Sequence, residues 1–361
     1  MYPIRSSSDS DVSGALDLAD RLQHAVQEAY AAERPLRIAG SGSKRFLGSS
    51  PAGELLSTAQ HVGVIDYRPE ELVVTARAGT ALKDLARILA EQRQMLPFEP
   101  PEYLGGGTLG GAVAAGFSGP GRPWYGALRD AVLGIEMLNG YGQRLRFGGQ
   151  VMKNVAGYDV SRLLCGSFGT LGVILGVSVR TRPQPEHECT LTFEMERQAA
   201  LDRVVELGRS ALPISATCQV DGRLSLRLSG STPDLDDAVR TLGGEPGDSA
   251  LWNAVRDHSV SHFDASESGG SLWRISVPFA APYPPLDGTW LTEWAGALRW
   301  LRTTEATTRV REAVRSIDGY AIRFDSEADA FMPLDAHLLR YHQRIKTAFD
   351  PKGILNPGRM Y

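Results

Sequence analysis

Gly105-Gly106-Gly107-Thr108-Leu109-Gly110-Gly111 is the segment of this 361-residue chain where glycine is densest. Two more glycine-rich segments follow it, Gly116-Phe117-Ser118-Gly119-Pro120-Gly121 and Gly166-Ser167-Phe168-Gly169-Thr170-Leu171-Gly172. Glycine lets a backbone approach a ligand closely and present its N–H groups without a Cβ in the way. Ala112-Val113-Ala114-Ala115 predicts a helix after the first segment, and the free N–H groups that begin a helix attract phosphate. Residues 105–174 are therefore expected to hold a large anionic ligand.

The composition of the chain bounds its class. The chain is longer than one ordinary core supports, so two domains are expected. Its 42% hydrophobic and 22% charged residues are typical of a folded protein rather than a disordered one. A net charge of −4 gives no electrostatic reason to expect nucleic acid. The best apolar run, residues 171–179, is about half the length that spans a bilayer.

The cysteines and the N-terminal segment predict a reducing, cytoplasmic compartment. Cys165, Cys189 and Cys218 are odd in number and show no C-x-x-C spacing. Neither a disulfide framework nor a cysteine-bound metal or iron–sulfur cluster is therefore expected. Ser6-Ser7-Ser8-Asp9-Ser10-Asp11 is polar and acidic, unlike a signal peptide.

An earlier loop, Gly40-Ser41-Gly42-Ser43-Lys44-Arg45, follows a short apolar strand predicted at residues 36–39. Successive N–H groups, two hydroxyls and a cation suit a phosphate-binding nest. The loop lacks the GxxxxGK[ST] spacing of a P-loop, and Arg45 stands where a Rossmann GxGxxG motif needs its third glycine. A plain surface turn fits this loop equally well when the loop is taken alone.

Hydrophobic periodicity predicts mixed helices and strands up to residue 182. Ser13 is expected to cap a helix over residues 15–32, and Thr80 to cap a second helix that holds Leu82, Leu85 and Leu89 on one face. The predicted strands are residues 36–39, 62–67, 72–76, 131–138, 143–147 and 173–181. Asn139-Gly140-Tyr141-Gly142 predicts a hairpin between residues 131–138 and 143–147.

The second part of the chain predicts a small α+β domain with an antiparallel sheet. Pro183 and Pro185 indicate a domain boundary near residue 185. The predicted strands are residues 191–195, 215–220, 224–228 and 273–278, and the predicted helices are residues 199–211 and 235–242. A last helix, residues 338–349, is expected to return to the first domain.

Taken together, the glycine loops resemble the FAD-binding domain of the vanillyl-alcohol oxidase and p-cresol methylhydroxylase (PCMH) superfamily. The resemblance implies that residues 40–44 bind the pyrophosphate, residues 107–126 pass along the pyrophosphate and flavin ring, and residues 169–174 close over the adenosine half. The cofactor-binding residues so implied are Gly40, Ser41, Gly42, Ser43, Lys44, Gly107, Thr108, Leu109, Gly110, Gly111, Ser118, Gly119, Arg122, Tyr125, Gly126, Gly169, Thr170, Leu171, Gly172, Val173 and Ile174. Ser41 and Ser43 occupy the positions of a flavin-linking His in some relatives, which implies non-covalent FAD.

Three further segments resemble the glycolate oxidase branch of that superfamily. They are Lys153-Asn154-Val155-Ala156-Gly157-Tyr158-Asp159, Trp294-Ala295-Gly296-Ala297-Leu298-Arg299-Trp300-Leu301-Arg302, and the tail Phe349-Asp350-Pro351-Lys352-Gly353-Ile354-Leu355-Asn356-Pro357-Gly358-Arg359-Met360-Tyr361. The chain is shorter than the catalytic subunits of that branch and is similar to their smaller FAD-binding partner. The resemblance implies a complex with a catalytic flavoprotein subunit and an iron–sulfur subunit, which acts on glycolate or another small 2-hydroxy acid in the cytoplasm or at the inner membrane.

The resemblance also implies the domain plan. The fold class is α+β, with a PCMH-type FAD-binding domain of two α+β subdomains over residues 1–185. A small α+β cap domain with an antiparallel sheet covers residues 186–335. A C-terminal helix and tail, residues 336–361, return to the FAD-binding domain.

No catalytic group follows from the sequence. Oxidation of a 2-hydroxy acid needs a base for the hydroxyl proton and a cation for the carboxylate. His258 and His262 are four residues apart and suit one helix face, but no third ligand has motif spacing, so no metal is predicted. Arg302 and Tyr158 are candidate catalytic residues. For Arg302 the stronger interpretation is an exposed Arg that packs on an indole, whereas for Tyr158 packing beneath Leu163 fits equally well. A self-contained FAD oxidoreductase and a non-catalytic scaffold with a flavin-type fold therefore remain the alternatives.

Overall fold

The computed structural model of the chain describes residues 15–149, 159–264, 269–326 and 329–360. Its helices are α1 Ala19–Ala31, α2 Leu82–Ala90, α3 Leu109–Ala115, α4 Arg122–Tyr125, α5 Leu128–Ala131, α6 Val160–Leu163, α7 Arg197–Leu207, α8 Thr232–Leu242, α9 Leu251–Arg256, α10 Thr307–Arg315 and α11 Ala336–Phe349. Its strands are β1 Leu36–Ala39, β2 Glu54–Ser57, β3 Val64–Arg68, β4 Val73–Arg77, β5 Gln94–Met95, β6 Val132–Leu138, β7 Arg144–Gly148, β8 Val173–Arg180, β9 Arg182–Pro183, β10 His187–Glu194, β11 Ile214–Val220, β12 Arg223–Gly230, β13 Glu245–Pro246, β14 Ser271–Ser276, β15 Thr289–Glu293, β16 Leu298–Thr303 and β17 Tyr320–Arg323.

A five-stranded antiparallel sheet forms the centre of the first part of the chain. Its strand order is β3-β4-β8-β6-β7, and the predicted hairpin between β6 and β7 is confirmed. The central strand β8 is an apolar run that is buried from Val173 to Val179. Helices α2 and α3 cover this sheet because Leu82, Leu85 and Leu89 pack on it together with the small residues of α3.

The parallel pair β1–β2 lies beside the sheet and is covered by α1. The helix begins at Ala19 rather than at residue 15, because Leu16 instead forms an isolated antiparallel bridge with Val62. The predicted cap, Ser13, lies outside the described residues. The buried face of the helix is the predicted one, with Leu22 and Val26 at its centre.

The predicted cap of α2 is wrong. The N-cap residue is Ala81, whose side chain makes no capping hydrogen bond. The Oγ1 atom of Thr80 instead accepts a hydrogen bond from the Gly63 N–H at 3.0 Å and lies 3.3 Å from the Gly63 carbonyl oxygen. Its hydroxyl therefore joins the start of α2 to the chain before β3.

The second part contains an eight-stranded sheet that is antiparallel, as predicted, although the strands β13, β15, β16 and β17 were not predicted. Its strand order is β13-β10-β12-β11-β15-β16-β14-β17. Helices α7 and α8 pack on β10, β11 and β12 through a leucine-rich cluster. Ser231 caps α8, with its Oγ accepting from the Asp234 N–H, so this helix begins earlier than the predicted residue 235.

The two sheets meet through aromatic side chains and polar contacts. Tyr103 and Phe117 of the first part pack with Trp294, Trp300 and Phe324 of the second. The predicted boundary near residue 185 falls between β9 and β10, which belong to different sheets. The domain limits themselves stay predictions.

Helix α11 returns to the first part, as expected. Its side chains Ile345 and Phe349 pack against the core of the five-stranded sheet, and the Phe349 carbonyl accepts from the Gly140 N–H at 2.8 Å. None of the helices in the described part of the chain is long and apolar enough to cross a membrane.

Candidate functional site

The first glycine loop begins where β1 ends and forms one wall of a cleft of about 450 Å³. Residues 40–45 turn back on themselves, with the Arg45 N–H donating to the Gly42 carbonyl at 3.1 Å. Gly42 has a φ of +77°, a conformation that favours glycine because it has no Cβ. The side chains of Ser41, Ser43 and Lys44 line the same cleft.

The second loop packs against the first. Thr108 caps α3, and its Oγ1 accepts from the Gly111 N–H at 3.2 Å. The same Oγ1 lies so close to Gly40 that a Cβ there would overlap it. The Ser41 hydroxyl donates to the Gly106 carbonyl at 3.4 Å. Only glycine at position 40 allows these two loops to come together.

The third loop closes another side of the cleft. The Phe168 N–H donates to the Ala114 carbonyl at 2.8 Å, which ties this loop to α3. Gly169 has a φ of +72°, and a Cβ on it would lie 2.7 Å from Asn356 Nδ2. The structure therefore brings part of each loop to one cleft.

The charge in the cleft suits an anionic ligand. Among the described residues that line the cleft, four are cationic, namely Arg37, Lys44, Arg45 and Arg359. None of the described lining residues is Asp or Glu. Burial lowers the pKa of Lys44 to about 8, against the attraction of Glu102 and Asp257. The negative charge of the FAD diphosphate would stabilise the protonated form of Lys44, which burial disfavours. The serine hydroxyls add hydrogen-bond donors. The residues present therefore fit FAD.

The predicted cofactor-binding residues divide into two sets. Those that line the cleft are Gly40, Ser41, Gly42, Ser43, Lys44, Gly110, Gly111, Gly169, Gly172 and Ile174. Those that do not are Gly107, Thr108, Leu109, Ser118, Gly119, Arg122, Tyr125, Gly126, Thr170, Leu171 and Val173. Leu109, Leu171 and Val173 are buried core residues.

The part of the second segment after α3 faces the eight-stranded sheet. The Gly119 carbonyl accepts from Trp294 Nε1 at 2.9 Å, and the Arg122 guanidinium lies 4.5 Å from a Trp294 ring centroid. The Tyr125 hydroxyl donates to Ser229 Oγ at 3.2 Å. These contacts join the two parts of the chain, and a role for these residues at the flavin ring stays a prediction.

A second cavity of about 10 Å³ lies at this junction, with room for about one water molecule. Its lining includes Tyr103, His258, Arg274, Glu293 and Trp300. The Tyr103 hydroxyl lies 3.2 Å from His258 Nε2, and Trp300 Nε1 donates to Glu293 Oε1 at 2.8 Å. Burial raises the pKa of Glu293 to about 7 and lowers that of Arg274 to about 10.

The histidine pair does not share a helix face, an arrangement that the four-residue spacing allowed but did not predict. Helix α9 ends at Arg256, and His258 has a left-handed φ of +57°. His258 stacks on Phe263 with ring centroids 4.0 Å apart. Burial lowers the pKa of His262 to about 4. Among the described residues no group of His, Cys, Asp and Glu could hold a metal ion.

Arg302, the catalytic candidate that lies among the described residues, receives no support from its position. Arg302 is buried in β16, and its guanidinium donates to the carbonyls of His262, Phe263 and Gly270. It lines neither cavity. Tyr158 lies outside the described residues, as do residues 153–157 of the segment that resembles the glycolate oxidase branch.

Sequence reasoning did not assign several residues that line the cleft. The missed residues include Arg37, Thr58, Ala78, Asn356 and Arg359. Arg37 and Ile38 both line the cleft although they are successive residues of β1, so strand alternation gave no signal for Arg37. The tail motif Asn356-Pro357-Gly358-Arg359 indicated the family but not that it reaches the cleft.

Two family models match the chain on either side of the large sheet. The FAD binding domain family matches residues 16–148. The family of FAD linked oxidases, C-terminal domain, matches residues 330–360. The first match contains the first and second loops, and the second contains Asn356 and Arg359.

Relatives and a solved structure agree with these matches. Glycolate oxidase subunit GlcE of Escherichia coli is 44% identical over 345 residues, which cover 96% of this chain and 98% of that protein. Glycolate oxidase subunit GlcD of Bacillus subtilis is 32% identical over 187 residues, which cover 51% of this chain and 40% of that protein. The structure of 4-ethylphenol oxidase from Gulosibacter chungangensis shares the fold, with a TM-score of 0.68 at 17% identity over 96% of this chain and 87% of that one.

These findings confirm the predicted superfamily, its α+β fold and FAD as the cofactor of an oxidoreductase. The sequence match to GlcE runs along nearly the whole chain. This chain is an FAD-dependent member of the FAD-linked oxidases and belongs to the family of glycolate oxidase subunit GlcE.

Proposed function

We propose that this chain is the FAD-binding subunit of a complex that oxidises glycolate, or another small 2-hydroxy acid, to the corresponding 2-oxo acid. The observation that carries the proposal is the 44% identity to GlcE over almost the full length of both chains. The cationic cleft supports it independently, because a diphosphate needs cations and hydroxyl or N–H donors at close range.

The roles of the cleft residues follow from their chemistry. FAD, when bound, accepts the electron pair removed from the substrate as hydride. Residues 40–44 would hold the pyrophosphate, with Lys44 supplying a charge from a position that water reaches poorly. Gly169, Gly172 and Ile174 would face the adenosine half, and residues 118–126 would lie beside the flavin ring.

The partners belong to the same proposal. GlcE and GlcD are both named as subunits of glycolate oxidase, and this chain is similar to both. We place this chain beside a catalytic flavoprotein subunit, with an iron–sulfur subunit taking electrons onward. A cytoplasmic location, at the inner membrane only through other subunits, is supported by three cysteines that are all free.

A self-contained oxidoreductase is the second candidate, and the groups that line the second cavity are the observation that raises it. Arg274 could neutralise a carboxylate there, and His258 is a base whose pKa burial lowers well below the ordinary value. The cavity holds about one water molecule, which is less than a 2-hydroxy acid needs. For this reason we favour a subunit that depends on its complex for substrate oxidation.

Visible absorption separates these functions. The purified chain is measured alone, and then with its catalytic partner, before and after glycolate is added without oxygen. A flavin spectrum that glycolate bleaches only in the presence of the partner supports the proposal. Bleaching of the chain alone would assign substrate oxidation to this chain. No flavin, even after incubation with FAD, would leave only a scaffold role.

A further inference from the structure

The C-terminal tail adds a short extended segment to the first wall of the cleft. The Leu36 N–H donates to the Ile354 carbonyl at 2.7 Å, and the Asn356 N–H donates to the Leu36 carbonyl at 3.0 Å. Leu36 and Leu355 form a parallel bridge. The tail therefore runs alongside β1, the strand from which the first glycine loop begins.

The side chain of Asn356 joins β1, from which the first loop begins, to the third loop. Its Oδ1 accepts from the Ile38 N–H at 2.7 Å, and its Nδ2 donates to the Phe168 carbonyl at 2.7 Å. Nδ2 also lies 3.5 Å from the Ile38 carbonyl oxygen. Asn356 is buried, with a left-handed φ of +43° that directs the tail across the cleft. One amide thus spans two backbone segments that are far apart in sequence.

Arg359 holds the far side of the first loop. Its guanidinium donates to the carbonyls of Lys44 at 3.1 Å, Ser49 at 2.8 Å and Gly48 at 3.4 Å. Arg359 also lines the cleft. Because this guanidinium holds the Lys44 backbone, it fixes the point from which the Lys44 side chain enters the cleft.

Helix α11 anchors the tail to the third loop. Lys346 Nζ donates to the carbonyls of Thr170 and Leu355, each at 2.7 Å. The buried Asp350 carboxylate accepts from the Ile354 and Leu355 N–H groups at 3.1 and 2.8 Å. The tail is therefore fixed at both ends of the segment that crosses the cleft.

We propose that Asn356 and Arg359 are positioning residues of the cofactor site, which set the first and third glycine loops in the conformation that binds FAD. Glycine loops have few side chains to hold themselves in place and lose much conformational entropy when they become ordered. The tail supplies this order before the cofactor arrives. FAD affinity and docking of the tail are therefore coupled, and the coupling is reciprocal. The proposal rests on FAD binding in this cleft.

The test uses the full chain with Asn356→Ala, Asn356→Asp and Arg359→Gln. Asn356→Asp keeps the acceptor for Ile38, loses the donor to Phe168 and adds a negative charge beside the cleft. Asn356→Ala removes both hydrogen bonds without adding a charge and is the comparison that separates the two effects. Arg344→Gln, on the exposed side of α11, is the matched control for Arg359→Gln. We expect the FAD dissociation constant to rise by about tenfold or more in the three tail variants and to stay unchanged in the control.

Hydrogen exchange separates positioning from mere stability. In the apoprotein of each tail variant, the amides of residues 38–44 and 166–170 should exchange faster while those of the eight-stranded sheet stay protected. In the wild type, FAD should slow the exchange of residues 353–359. A fall in the apoprotein melting temperature with an unchanged FAD dissociation constant would overturn the proposal. If wild-type protein takes up no FAD, the proposed function fails. In that case, faster exchange of the loop amides in the variants would still show that the tail holds the two loops in place, and unchanged exchange would show that it does not.

Discussion

Lys44 carries a positive charge into a region that water reaches poorly. Burial lowers its pKa to about 8, although Glu102 and Asp257 attract the charge and oppose part of this effect. Its Nζ lies 3.5 Å from the Pro101 carbonyl oxygen and 5.4 Å from the Tyr103 ring centroid. A bound diphosphate would favour the charged form, so FAD binding and protonation of Lys44 are linked.

The linkage predicts how FAD affinity depends on pH. Below pH 8, Lys44 is already protonated in the apoprotein, and the dissociation constant should be flat. Above pH 8, binding must take up a proton, so the dissociation constant should rise by up to about tenfold per pH unit. Fluorescence titration of FAD from pH 6.5 to 9.5 measures this, and Lys44→Arg, which keeps its charge, is the control expected to bind with a flat profile. A flat profile in the wild type would remove Lys44 from the binding site.

The glycines of the cleft have different roles. The sequence suggests that a side chain at Gly110 or Gly172 would enter the cofactor space, and the structure shows otherwise. A Cβ on Gly110 would lie 2.6 Å from the Ala78 Cβ and 3.0 Å from the Ala78 carbonyl oxygen. A Cβ on Gly172 would overlap the end of the Met137 side chain. Both glycines are required by packing within the protein.

Gly110→Ala should therefore destabilise the protein itself. Because the Ala78 backbone cannot move away easily, we expect a loss of about 1–3 kcal/mol in the free energy of unfolding, even without FAD. Gly176→Ala is the matched control, since its Cβ would meet its nearest neighbour at 3.7 Å, an ordinary contact. Urea unfolding of the two apoproteins checks this, and equal stabilities would contradict the packing role of Gly110.

Strand β12 of the large sheet is joined to the first part of the chain by a buried ion pair. Arg227 Nη2 lies 2.7 Å from Glu99 Oε1, and both side chains are at most 10% exposed. Glu99 Oε2 accepts from the Gly121 N–H at 2.6 Å, and the Arg227 guanidinium also donates to Ser215. The carboxylate and the guanidinium therefore pair with each other across the junction, and each also has a hydrogen-bond partner on its own side.

Arg227→Met should cost about 3–5 kcal/mol of unfolding free energy, because it leaves the Glu99 carboxylate buried without its cation. Adding Glu99→Gln removes the unpaired charge while the amide oxygen still accepts from Gly121, so the double variant should recover at least about 1 kcal/mol. Arg223→Met, at the exposed start of the same strand, is the control with little expected effect. Chemical denaturation measures all four proteins, and a cost of Arg227→Met equal to that of the control would refute the argument.

Sequence patterns were informative wherever structure depends on neighbours along the chain. Short apolar runs predict β1 and β8, turn chemistry predicts the β6–β7 hairpin, and glycine density predicts the loops. The misplaced cap at Thr80 and the histidine pair share another cause. Thr80 binds Gly63 and His258 packs on Phe263 and Trp300, so tertiary contacts override the local pattern. The contribution of Asn356 depends on Ile38, a separation of 318 residues that no local pattern reports.

The cofactor cleft and the large sheet are held in place by contacts between the two parts of the chain. The tail reaches the cleft only after the chain has completed β17, and Trp294, in the turn between β15 and β16, donates to the Gly119 carbonyl beside the second loop. The aromatic cluster between the sheets draws on both parts of the chain. Because neither part buries these apolar side chains alone, the folding of each part stabilises the other.

This coupling predicts one unfolding transition for the whole chain. In differential scanning calorimetry the apoprotein should give a single peak with equal calorimetric and van't Hoff enthalpies. FAD at a hundred times its dissociation constant should stabilise the chain by about 2.7 kcal/mol and move that peak as a unit. Trp294→Ala should cost about 3–5 kcal/mol and weaken the coupling, because it removes both the indole packing and the hydrogen bond to Gly119. Two peaks, of which FAD shifts only one, would instead show that the predicted boundary near residue 185 separates domains that unfold independently.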